Sequence, residues 1–112
     1  MRRMSFMLTE SQFLDGSKTV TRRLGWHHCK VGDRYQAVNK SQGLKPGEKA
    51  RLLGVIEVVA VDREPLCHIS ESDVVREGFP LMLCSEFVAM FCKHMKCTPD
   101  TEVARIEFRR VR

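Results

Sequence analysis

The chain has 112 residues, a net charge of +5 and 43% hydrophobic residues, enough for one core and too short for two, and too apolar for a disordered chain. No apolar run approaches the roughly 20 residues that span a bilayer, and Thr9 and Glu10 cut short the basic-then-apolar start Met1–Leu8 before it reaches signal-peptide length. The expectation is a single domain over residues 1–112 in the cytosol, away from membranes, whose positive charge favours an acidic partner, most commonly nucleic acid.

Phe6 to Leu8 reads as a short first strand, and Glu10 to Asp15 as a short helix capped by Thr9 and closed by Gly16. Asp15-Gly16 is a turn signal, after which β-branched Thr19, Val20 and Thr21 favour a strand over Lys18 to Arg23. Leu24 to His28 is a loop. Gly32-Asp33 then turns the chain into a third strand, Arg34 to Val38, and Asn39 to Lys49 is a long polar loop rich in lysine, glycine and proline. Ala50 to Asp62 is the strongest strand. Ile56, Val58 and Ala60 face one way and Val55, Val59 and Val61 the other, which predicts cover on both sides.

Ser70-Glu71-Ser72-Asp73 has the form of a capping box opening a helix that ends at Gly78, with Pro80 blocking its continuation. Phe87, Met90, Phe91 and Met95 recur at three- and four-residue spacing, an amphipathic helix whose stripe belongs to the core. In a closing strand, Val103 to Val111, Ala104, Ile106 and Phe108 point inward while Arg105, Glu107 and Arg109 point out.

The five cysteines are odd in number and irregular in spacing, which fits a reducing compartment. Cys84 and Cys92 fall among apolar residues and read as buried thiols. There is no Cys-x-x-Cys pair, so no metal site is expected, and no cofactor is expected either.

Chemistry concentrates in Gly16-Ser17-Lys18-Thr19-Val20-Thr21-Arg22-Arg23. A lysine and a threonine there can form an activated nucleophile if a carboxylate joins them, and the same cations can hold phosphate oxygens. The segment lacks the Gly-x-x-x-x-Gly-Lys spacing of a phosphate loop. On a regular strand, residues three apart point to opposite faces, so Lys18 and Thr21 converge only if Gly16 introduces a bend or bulge.

The pattern Gly16, Lys18, Thr19, Thr21, Arg23, followed by Gly32-Asp33, resembles the signature of the ASCH family within the PUA-like superfamily. The resemblance runs from Phe6 to the C-terminus and implies an α+β fold, a small PUA-like β-barrel flanked by two or three helices. It also implies action on RNA or a modified nucleoside. Some small members are amidohydrolases of N(4)-acetylcytidine, in which the lysine, the second threonine and a later helical glutamate react. By position these are Lys18, Thr21 and Glu77, with Glu71 and Glu86 as rival acids at helix N-termini. Either Lys18 activates Thr21, or Lys18 stays charged at the oxyanion while Glu77 is the base. Thr19, Arg22, Arg23, Trp26 and Lys40 are the expected substrate or nucleic-acid contacts. A non-catalytic RNA-binding module and a ribonuclease are the alternatives. The lysine-bearing loop and the stretches Arg63–Leu66 and Glu77–Pro80 depart from the small deacetylase-like members.

Overall fold

The computed structural model describes residues 1–111. In chain order the elements are β1 (Arg2–Ser5), α1 (Glu10–Leu14), β2 (Val20–Arg23), β3 (Arg34–Val38), β4 (Leu52–Pro65), a 3-10 turn (Leu66–His68), α2 (Glu71–Arg76), α3 (Cys84–Met95) and β5 (Glu102–Val111). The strands form one sheet in the order β1-β3-β4-β5-β2, curled into a half-barrel. β1 runs parallel to β3, and the other neighbours are antiparallel. This is an α+β fold of the PUA-like barrel type.

β4 is the spine. It pairs with β3 over Leu52–Glu57 and with β5 over Val55–Pro65. Register shifts at Ala37/Val38 and at Val58/Ala60 interrupt these ladders; such irregularities bend a strand and raise its twist, and this curls the sheet. The second shift overturns the expectation that β4 is covered on both sides. Ile56 and Val58 are buried, Val59 is exposed, and beyond it Val61 turns inward to pack on the core.

The concave face holds Met4, Phe6, Phe13, Tyr35, Ile56, Ile106 and Phe108. A second cluster, Leu66, Ile69, Val74, Phe87, Phe91 and Val103, lies under α2 and α3. β5 serves both, because Ala104 and Ile106 face the first cluster while Val103 faces the second. Its outward face is therefore partly covered, and Arg105 is half-buried beneath α2 rather than solvated.

The first strand is Arg2–Ser5, not Phe6 to Leu8. Phe6 plugs the core from the following turn, while Met7 and Leu8 are exposed. β2 begins at Val20, so Lys18 and Thr19 precede it. α2 has the expected cap, with Ser70 Oγ accepting from Asp73 N. At its end Gly78 takes φ +103°, a conformation L side chains avoid. Thr9 stands at the N-cap of α1, but its side chain makes no capping bond. Cys84 and Cys92 are half-buried, and it is Cys29 that is fully buried.

Candidate active site

β1 and β2 are the two edges of the half-barrel, and the barrel stays open between them. Arg23 spans the seam, donating from Nη2 to the Ser5 carbonyl oxygen at 2.6 Å. At this seam lies a cavity of about 230 Å³. Its polar end is made by Thr9, Lys18, Thr21, Arg22, Arg23 and Glu77, and its apolar wall by Phe6, Phe79, Phe87, Met90, Phe91 and Met95.

The start of β2 at Val20 resolves the facing problem that the sequence posed. Lys18 lies after the turn at Gly16 and before β2, so strand alternation does not fix its direction, and it lines the same cavity as Thr21 at the rim of this edge strand. No bulge in β2 is required, and its ladder to β5 is regular from Val20 to Arg23.

Lys18 is 4% exposed and Glu77 3%. Lys18 Nζ donates to Glu77 Oε1 at 2.6 Å and to the Glu77 carbonyl oxygen at 3.0 Å. Burial lowers the Lys18 amine from its ordinary value; Glu77 opposes the shift, and Arg23 and Arg22 reinforce it. Thr21 is also buried, and its Oγ1 accepts from Arg23 Nε at 3.1 Å. Desolvation draws the Arg23 guanidinium down to about 10, so it is charged at neutral pH. It lies over the rings of Phe6 and Trp26, at 5.2 and 5.8 Å.

The remaining expected contacts divide. Arg22 lines the cavity, but its guanidinium is committed to protein carboxylates: Asp73 at 2.7 Å, Glu64 at 3.1 Å and Glu77 at 3.4 Å. It is an internal ion-pair residue, not a free phosphate contact. Thr19 is exposed and outside the cavity, its backbone N–H donating to the Arg76 carbonyl oxygen. Trp26, at φ +54°, packs edge-on to Tyr35 with centroids 5.4 Å apart and leans on the core. Lys40 pairs with Glu48 at 3.1 Å within the polar loop and does not line the cavity.

Among the rival acids, Glu71 is an exposed first-turn charge, and Glu86 accepts from Leu83 N to cap α3. The α3 stripe departs from expectation too. Phe87 and Phe91 are core residues, but with Met90 and Met95 they also form the cavity wall. Sequence reasoning missed Thr9 and His94, which line the cavity. Thr9 offered itself as a cap, and His94 sits among last-turn charges where a solvated histidine is unremarkable. It also missed Asp73 and Arg105, which reach the site only through Arg22. Among the described residues no group of three or more His, Cys, Asp or Glu is placed to hold a metal ion. No helix among them is long and apolar enough to cross a membrane.

No family model and no curated protein matches the sequence. Solved structures do. A protein of Enterococcus faecalis V583 from the family DUF984 is 19% identical and covers 91% of this chain and 69% of its own, with a TM-score of 0.63. An ASCH domain from Lactobacillus crispatus JV V101 is 16% identical and covers 92% of this chain and 70% of its own, with a TM-score of 0.57. The chain has an ASCH-domain fold. In this ASCH fold the cavity occupies the open seam of the barrel, and Lys18, Thr21 and Glu77 stand at its polar end.

Proposed function

We propose that the protein hydrolyses the amide of an acylated cytidine such as N(4)-acetylcytidine, with Thr21 as nucleophile and the Lys18–Glu77 pair handling its proton. The observation that carries this reading is the convergence of a buried lysine, a buried threonine and a buried glutamate on one cavity. Such a triad suits acyl transfer, which needs a nucleophile, a base and an acid around one bond.

The hydrogen bonds support these roles. Because Arg23 Nε donates to Thr21 Oγ1, the threonine's own proton is free to leave, and the developing alkoxide faces a cation. Lys18 and Glu77 share a proton across their 2.6 Å contact, and burial, which lowers the Lys18 amine, makes the pair better able to take up the Thr21 proton. Thr21 Oγ1 attacks the acyl carbon, the bond from carbon to N4 breaks, and N4 takes a proton from the Lys18–Glu77 pair. Water then hydrolyses the threonine ester to free acid. The apolar wall from α3 offers a surface for a flat ring, and the volume is below the roughly 300–1,000 Å³ typical of drug-sized ligand sites, which suits a nucleoside more than a polymer.

Incubation of the protein with N(4)-acetylcytidine should yield cytidine and acetate in equal amounts. Thr21→Val, which keeps the β-branched shape and removes the hydroxyl, should abolish both products. Full activity in Thr21→Val would refute the assignment of the nucleophile, and an inactive wild type would refute the reaction.

A further inference from the structure

Arg22 on β2 stands directly opposite Arg105 on β5. Two guanidiniums in register repel unless an anion lies between them. Asp73 on α2 is that anion. Its Oδ2 accepts from Arg22 Nη2 at 2.7 Å and from Arg105 Nε at 2.5 Å, and its Oδ1 accepts from Arg105 Nη2 at 3.1 Å and Arg76 Nη1 at 3.2 Å. The chain of charges therefore runs Lys18, Glu77, Arg22, Asp73, Arg105, with Glu64 attached to Arg22.

The two ends of Arg22 are unequally held. Nη2 is shared between Asp73 and Glu64, whereas Nη1 reaches Glu77 only at 3.4 Å, and Nε is buried without a partner. Glu77 keeps its short contact, 2.6 Å, for Lys18. We propose that Asp73 and Arg105 are positioning residues for the Lys18–Glu77 pair: Asp73 holds Arg22 off Glu77, and Arg105 limits how strongly it does so. The inference rests on the reading of Lys18 and Glu77 as the reacting pair, and it adds the device that divides Glu77 between two cations.

The direction of the coupling follows from the charges. Glu77 faces Lys18 from the end of α2, Arg22 and Arg23 from β2, and His94 from the last turn of α3; the segment Ser5–Thr9 lines the cavity without a charge. Neutralising Asp73 frees Arg22 to close on Glu77 and leaves an uncompensated cation, so Lys18 gives up its proton more readily. Removing the Arg105 charge does the reverse. A merely structural disturbance, by loosening the site, would return Lys18 toward its ordinary value in both variants.

The test is a lysine titration by NMR on protein carrying 13C-labelled lysine, with the Lys18 signal identified by its loss in Lys18→Met. Asp73→Asn should lower the Lys18 midpoint by about one pH unit, as expected for a unit charge removed nearby, and Arg105→Gln should raise it. If Asp73→Asn does not fold, Glu64→Gln carries the same downward sign, since Glu64 is partly exposed and bonds Arg22 alone. A midpoint that stays put or rises in the acid variants, or one that fails to rise in Arg105→Gln, overturns the proposal. The titration needs no turnover, so its outcome is separate from whether acetylcytidine is hydrolysed.

Discussion

Glu77→Gln isolates the buried ion pair with almost no change of shape. Both partners are nearly solvent-free, so water screens the interaction little, and breaking such a pair costs about 3–5 kcal/mol. Two features limit the loss, the second more strongly as pH rises. The glutamine oxygen still accepts, as does the carbonyl oxygen of residue 77 at 3.0 Å. Lys18 can also shed its proton, and burial already pushes it that way. Shedding costs about 1.4 kcal/mol for each pH unit below lysine's ordinary 10.4, which caps the loss at about 4–5 kcal/mol at pH 7 and about 2 kcal/mol at pH 9. The sign follows from proton counts: the unfolded chain holds the Lys18 proton up to its ordinary value while the folded variant releases it earlier, so the variant gains stability as pH rises. Urea denaturation should show a deficit of about 2–4 kcal/mol at pH 7, narrowing at pH 9. A deficit that is negligible at pH 7, or that widens on going to pH 9, refutes the reasoning.

Two further perturbations probe the same frame. A Cβ at Gly78 would meet Gln12 Cβ at 2.8 Å while holding φ +103°, so Gly78→Ala should destabilise by about 1–3 kcal/mol and lower turnover by shifting Glu77; a wild-type denaturation midpoint would contradict this. Arg105 and Arg22 hold the Asp73 carboxyl well below the usual carboxylate range, so its contribution is present above the unfolded value near pH 4 and is lost as pH falls below it. Thermal melts should therefore decline steeply below about pH 4, and more steeply in wild type than in folded Asp73→Asn; parallel curves would contradict it.

Alternation and turn chemistry were enough to read most of the frame. Gly32-Asp33, the polar 39–49 loop, the Ser70 cap and the inward trio Ala104, Ile106 and Phe108 all lie where local pattern puts them. Local pattern failed where packing decides. Phe6, Met7 and Leu8 look like a strand, but the ladder to β3 uses Arg2–Ser5 before them. The register shift at Val58/Ala60 reverses the facing of half of β4, and nothing in a run of β-branched residues marks it. Lys18, Thr21 and Glu77 were legible as a set only through the family pattern. Their meeting depends on β2 being an edge, a property of strand order and not of local sequence. Asp73 and Arg105 were invisible as site residues for a similar reason: one reads as a helix-start acid, the other as an outward strand residue, and only the packing of α2 and the β2–β5 register make them neighbours of Arg22.

The most direct measurement is a rapid-quench single turnover, with protein in excess over N(4)-acetylcytidine, reading cytidine, free acetate and protein-bound acetyl by mass spectrometry. The account predicts that cytidine appears first, with one acetyl group on the peptide containing Thr21, followed by acetate, and that Thr21→Val forms none of them. Wild-type protein that releases no cytidine and carries no acetyl group would contradict it.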